Sequence, residues 1–104
     1  MSPAEAHALL TAGELAIVDC REEQETAVNR VEGAALIPMS ELLSRVDELP
    51  DDRPIAVLCR SGSRSGQVAD YLTATGEYGE VHNIDGGIIA WAADGLPYEG
   101  EPPT

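Results

Sequence analysis

One short stretch constrains the fold more than any other: Ile55-Ala56-Val57-Leu58, four apolar residues between the turn-rich Pro50-Asp51-Asp52-Arg53-Pro54 and a polar loop. A run that is apolar at every position, and too short for a helix, reads as a strand buried on both faces. Leu15-Ala16-Ile17-Val18-Asp19 reads the same way, and 34–37 and 81–84 predict further strands. Between them lie helical patterns. Ser2-Pro3-Ala4-Glu5 resembles a capping box with proline at the first helical position, and its helix stops at Gly13. Residues 22–28 favour a short helix, and Ser40 is placed to cap a helix with Leu42, Leu43, Val46 and Leu49 on one face. Val68, Tyr71 and Leu72 mark a helix ending at Gly76, and Ile88, Trp91 and Ala92 one ending at Gly95. Strands alternating with helices, each strand apolar throughout, predict an α/β domain whose mostly parallel sheet is covered by helices on both faces. No internal repeat appears. Residues 1–97 read as one domain and 98–104 as an acidic, proline-rich tail that hangs loose.

Sheets of this kind bind ligands beyond the carboxyl ends of their strands. Ile55-Ala56-Val57-Leu58 delivers the chain to such an end, and the next residue is Cys59. The segment after it, Arg60-Ser61-Gly62-Ser63-Arg64-Ser65, is polar and opens a helix. Helix N-termini present unpaired N–H groups and partial positive charge, and a loop folded around the sulfur adds more. Gly62 lets the backbone turn tightly, and Arg60 and Arg64 add cationic charge. All of these favour thiolate over thiol, so Cys59 reads as a reactive nucleophile and not as a small buried hydrophobe.

The arginines stand out because cations are few. The chain of 104 residues carries 19 acids against 6 bases, all arginine, for a net charge of −13. Such a surface repels nucleic-acid phosphate and anionic lipid, so neither is predicted as a partner. No apolar run is long enough for a membrane span and no signal peptide is visible, which predicts a cytoplasmic protein. Cys20 and Cys59 form no metal framework, and His7 and His82 lack ligand spacing. No metal or organic cofactor is predicted.

Cys59-Arg60-Ser61-Gly62-Ser63-Arg64-Ser65 resembles the active-site loop of rhodanese-like sulfurtransferases, often Cys-Arg-Ser-Gly-x-Arg-Ser. The resemblance extends over most of the chain. Val18-Asp19-Cys20-Arg21-Glu22 is similar to the family's Val-Asp-x-Arg-Glu signature, and Gly33-Ala34 with Ile37-Pro38 to its Gly-Ala-x-x-Ile-Pro segment. Asp85-Gly86-Gly87 with Trp91, then Gly95-Leu96-Pro97, is similar to its C-terminal Gly-Gly-x-x-x-Trp pattern. The resemblance implies a five-stranded, mostly parallel domain. It also implies a Cys59 thiolate that takes the outer sulfur of thiosulfate or a persulfide donor and passes it to cyanide, a small thiol or a protein thiol. The amides of residues 60–64 would hold the persulfide, and Arg60 or Arg64 would attract an anionic donor. Arg30 replaces the family's usual histidine, Glu23 a frequent proline and Thr26 a usual aromatic, changes that bear on substrate preference rather than on fold.

Other residues have two readings each. Arg21 either fixes the strand end by pairing with Asp19 or lines the substrate pocket. Cys20 either packs in the core or resolves Cys59 as a disulfide. His7 and His82 read as surface or core histidines, and Trp91 as core. Two rival functions share the loop. One is a persulfide carrier or interaction module in a sulfur relay without turnover of its own. The other is a cysteine-dependent phosphatase or arsenate reductase, disfavoured because those loops hold five residues between cysteine and arginine, where four separate Cys59 from Arg64.

Overall fold

The computed structural model describes all 104 residues. Its elements run α1 (Pro3–Thr11), β1 (Ala16–Asp19), α2 (Glu23–Thr26), β2 (Asn29–Arg30), β3 (Ala35–Leu36), two 3₁₀ segments (Met39–Ser44 and Val46–Glu48), β4 (Ile55–Leu58), α3 (Ser63–Thr75), β5 (Val81–Asn83), α4 (Gly87–Ala93) and β6 (Glu99–Gly100). Four strands form one parallel sheet in the order β3-β1-β4-β5. β4 lies inside the sheet and is buried at all four positions, as its unbroken apolar run requires.

Side-chain alternation along the strands divides the core in two. Ile17, Ala56 and Leu58 point to one face with Ala6 of α1 and Ile88 and Trp91 of α4. Val18, Cys20, Ile55, Val57 and Cys59 point to the other with Val68, Ala69 and Leu72 of α3. Helices therefore cover both faces, as predicted, and Cys59 belongs to the α3 side. Ser2 caps α1, its Oγ accepting from the Glu5 amide at 3.2 Å. No helix is long and apolar enough to cross a membrane.

Three local expectations are corrected. The central sheet has four strands, not five; β2 and β6, two residues each, form a separate antiparallel ribbon. The segment after Ser40 is 3₁₀, not α-helical. Its tighter winding buries Leu42 and leaves Leu43 69% exposed, while the Ser40 hydroxyl donates to Glu22 Oε1 instead of capping. Finally, the tail is docked. β6 pairs with β2, the Glu101 amide donates to the Val28 carbonyl at 3.0 Å, and Asn29 Nδ2 donates to the Glu101 carbonyl at 3.0 Å. Gly100 makes this approach possible: its φ is +94°, and a Cβ there would run into the Val28 carbonyl. Composition signalled a polar tail, but residues 99–101 bond along the segment 28–30.

Candidate active site

β4 ends at Leu58 and places Cys59 at the carboxyl edge of the sheet, only 1% exposed. The chain then turns through Arg60 and Ser61 to Gly62, whose φ of +97° starts α3. This turn brings the Gly62 amide to 3.1 Å from Cys59 Sγ. One turn into α3, the Ser65 hydroxyl lies 3.2 Å from the same sulfur, and Ser65 itself is fully buried. Burial acts to raise the Cys59 pKa and is the largest single influence. The Ser65 hydroxyl and the amides of Ser65, Gly62 and Ser61 together outweigh it, and the thiol is held below its ordinary value. A depressed Cys59 pKa was predicted, but hydrogen-bond donors lead among its causes where arginine charge was given a share.

The loop's shape is imposed from α4. Ile88 N–H donates to the Cys59 carbonyl at 2.9 Å and Ile89 N–H to the Arg60 carbonyl at 3.2 Å. Gly87, with φ +62°, allows this contact, since a Cβ on it would collide with both carbonyls. With these two carbonyls tied to α4, the Gly62 amide faces the sulfur.

The two loop arginines differ in role. Arg64 is locked to Glu25 of α2 by two hydrogen bonds, Nη1 to Oε1 at 2.6 Å and Nη2 to Oε2 at 2.7 Å. Arg60 is exposed and pairs with no carboxylate side chain; its Nε donates to the main-chain oxygen of Thr104 at 2.6 Å. Ser61 and Ser63 are exposed on the loop. Arg21 is 4% exposed and satisfies the strand-end reading, chelating Asp19 through Nε and Nη2 while Nη1 and Nη2 donate to Asn29. It also borders a cleft of about 260 Å³ with Gln24, Glu25, Arg60, Pro103 and Thr104. The docked tail thus forms one wall of the cleft next to the loop.

Three further participants carry no role in the sequence reading. Glu25, Ser65 and Asn83 are each contributed by a different element: α2, α3 and β5. Ser65 was visible as the last residue of the loop motif. Asn83 could have been suspected from its place at the carboxyl end of the strand beside β4. Glu25 left no local signal. Cys20 lies in the same core cluster as Cys59, and burial pushes its thiol up to about 12. A larger cavity of about 380 Å³ lies between α1, α4 and the tail, on the other face of the sheet, with His7 edge-on to Trp91 at 5.6 Å. No cysteine lines it. No group of three or more His, Cys, Asp or Glu side chains is arranged to hold a metal ion.

The sequence pattern of the rhodanese-like domain matches residues 2–94. The chain belongs to the rhodanese-like domain family. It is 46% identical over 81 residues to a sulfurtransferase of Allochromatium vinosum, covering 78% of this chain and 75% of that one. It is 33% identical over 84 residues to a putative sulfurtransferase, YtwF, of Bacillus subtilis, covering 81% and 80% of the two chains. The crystal structure of a rhodanese-related protein from Thermoplasma volcanium superimposes with a TM-score of 0.86 at 27% identity, covering 97% of each chain. Together the rhodanese-like domain and these sulfurtransferase relatives support a sulfurtransferase or sulfur-relay role.

Proposed function

We propose that this rhodanese-like domain is a thiosulfate-type sulfurtransferase that carries one sulfur atom on Cys59 as a persulfide. The observation that carries the reading is the Cys59 sulfur itself, buried at the carboxyl end of β4 with the Gly62 amide at 3.1 Å and the Ser65 hydroxyl at 3.2 Å. Neutral donors around one sulfur favour a singly charged sulfur anion, either thiolate or persulfide.

In the loading step, the Cys59 thiolate attacks the outer sulfur of thiosulfate. A Cys59–sulfur bond forms, the sulfur–sulfite bond breaks, and sulfite leaves as a dianion with the bonding pair. The three negative charges of thiolate plus thiosulfate reappear as persulfide plus sulfite. In the unloading step, cyanide, a small thiol or a protein thiol attacks the outer sulfur and Cys59 departs as thiolate. Covalent storage divides one transfer into two easier ones. A persulfide donor enters the same scheme, with a thiolate leaving in place of sulfite. Arg60, which pairs with no acidic side chain and whose Nε donates to the Thr104 oxygen, borders the cleft and is the loop cation we assign to an anionic donor. Chemistry of this kind needs reduced thiols, and we assign the protein to the cytoplasm.

Intact mass tests the reading. Thiosulfate should add about 32 Da, one sulfur atom, and cyanide or dithiothreitol should remove it. Cys59→Ser should abolish the adduct and Cys20→Ser should keep it. An adduct that persists without Cys59, or none in the wild type with either donor class, would refute it.

A further inference from the structure

Ser65 has one hydroxyl proton and two acceptors within reach. Its Oγ lies 3.2 Å from Cys59 Sγ and 2.5 Å from Asn83 Oδ1. The orientation of Asn83 follows from its other bond: Nδ2 donates to the Gly62 carbonyl at 3.2 Å, which leaves the oxygen facing Ser65. Ser65 is 0% exposed, so bulk water offers no third acceptor. Asn83 therefore joins the two groups that donate to the sulfur, holding Gly62 by its carbonyl and Ser65 by its hydroxyl.

We infer that Asn83 is a positioning residue of this site, the acceptor on which the Ser65 proton rests whenever Cys59 Sγ is uncharged and from which it turns when the thiolate forms. In the thiol form, S–H donates to Ser65 Oγ and Ser65 donates to Asn83. Once the thiol is ionised, the sulfur is the stronger acceptor and the hydroxyl turns to it. The role in turnover rests on the persulfide reading above. In the loaded state the charge sits on the outer sulfur and Sγ is a neutral sulfide, so the hydroxyl returns to Asn83. When an acceptor attacks the outer sulfur, the S–S bond breaks and its electron pair stays on Sγ. The Ser65 proton then meets the charge as it develops. An interaction made in the transition state and withdrawn in the ground state accelerates the step, which a donor fixed on the sulfur throughout would not.

The charged and titratable neighbours of Cys59 are Asp19, Cys20 and Arg21 at the end of β1, Glu25 on α2, and Arg60 and Arg64 of its own loop and helix; α4 carries none. A test must separate the Ser65 proton from simple charge. Asn83→Asp adds a carboxylate that holds the proton more tightly and also repels the thiolate through space. Only the first effect requires Ser65. Cys59 ionisation is followed by its ultraviolet thiolate absorbance across pH, in Cys20→Ser protein, with and without Ser65→Ala. With Ser65 present, Asn83→Asp should raise the Cys59 midpoint by about one pH unit, a tenfold smaller thiolate fraction at a fixed acidic pH. With Ser65 removed, the shift should be less than half as large. Equal shifts in the two backgrounds would overturn the inference. Should Asn83→Asp fail to fold, Asn83→Ala is read by single-turnover unloading of preloaded Cys59 with cyanide. Unloading should be about tenfold slower with Ser65 and unchanged without it; equal slowing in both overturns the inference. The titration needs no sulfur donor. A protein that never loads sulfur but shows the Ser65-dependent shift would refute the proposed function and leave the proton arrangement standing.

Discussion

Glu25 and Arg64, 39 positions apart, meet in a two-pronged ion pair of 2.6 and 2.7 Å, so the second arginine of the Cys59 loop has its charge neutralised by a carboxylate that lines the cleft. The pair ties α2 to the first turn of α3. It also sets the two loop arginines apart, since Arg60 pairs with no acidic side chain and donates to the Thr104 oxygen instead.

Releasing Arg64 should therefore help an anionic donor. Glu25→Gln is expected to raise kcat/KM for thiosulfate several-fold. Arg64→Ala, which leaves the Glu25 carboxylate unpaired at the cleft, is expected to lower it about tenfold, since a charge-assisted hydrogen bond is worth roughly 1.5–3 kcal/mol. The double variant should recover much of the loss. Steady-state kinetics of the three variants decide this; a slower Glu25→Gln enzyme beside a full-speed Arg64→Ala enzyme would reverse the assignment.

The same pair sets an acid limit. Its hydrogen bonds from Arg64 hold the Glu25 carboxyl down at about 2. A carboxyl lowered by folding stabilises the protein fully above its unfolded value, about 4.3, and loses that contribution as pH falls towards the folded one. Both partners are partly exposed, so the contribution is about 1 kcal/mol or less. Urea melts should show wild type more stable than Glu25→Gln by about that amount at neutral pH, with the gap closing as pH approaches 2. A gap that widens in acid would contradict the pairing.

The two thiols should separate cleanly under alkylation. Cys59 has its pKa lowered by hydrogen-bond donors against the opposing effect of burial, whereas burial raises that of Cys20 to about 12. At neutral pH iodoacetamide should modify Cys59 alone in the folded protein, and Cys20 only after denaturation. Peptide mapping checks it. Modification of Cys20 at a comparable rate in native protein would exclude the buried state and revive its reading as a resolving thiol.

The tail offers a fourth test. Gly100→Val places a side chain against the Val28 carbonyl and should lift residues 99–104 off β2. Alkylation of Cys59 should then quicken several-fold, because one wall of the cleft moves away. Unfolding should change modestly, by about 1–2 kcal/mol, since two ladder pairs are lost and the core clusters are untouched. An unchanged alkylation rate would show that the tail does not limit access.

Legibility in the sequence followed burial and locality. β4 could be read from four residues because each is buried, and Cys59 because the reactive loop is contiguous with it. α1 announced itself through Ser2, which does cap it. The ribbon of β2 and β6 was hidden because two exposed residues such as Glu99 and Gly100 carry no periodicity, and their pairing depends on a partner about 70 residues away. The 3₁₀ winding after Pro38 was hidden for a different reason: Leu42, Leu43, Val46 and Leu49 suit an α-helical face, and only the packing of Leu42 against the core leaves Leu43 outside. At the site, residues within the loop were legible, and those supplied by α2 and β5 were not. Their contribution to Cys59 is spatial, through Arg64 and Ser65.

The carbonyls of Cys59 and Arg60 are each fastened to an amide of α4, and that of Gly62 to Asn83 Nδ2 and the Gly66 amide. A peptide flip is the ordinary way for a loop to reverse its polarity, turning a carbonyl inward where an amide had been. Here each flip would break a hydrogen bond at the sheet edge or in the first turn of a helix. The Cys59–Arg60 and Arg60–Ser61 dipoles are thereby frozen, and the next peptide is held through its Gly62 amide on the sulfur itself. Since peptides neither titrate nor shed their dipoles into salt, the cradle keeps its appetite for an anion across the whole pH range in which the fold survives. It does so inside a molecule whose net charge of −13 would otherwise send one away.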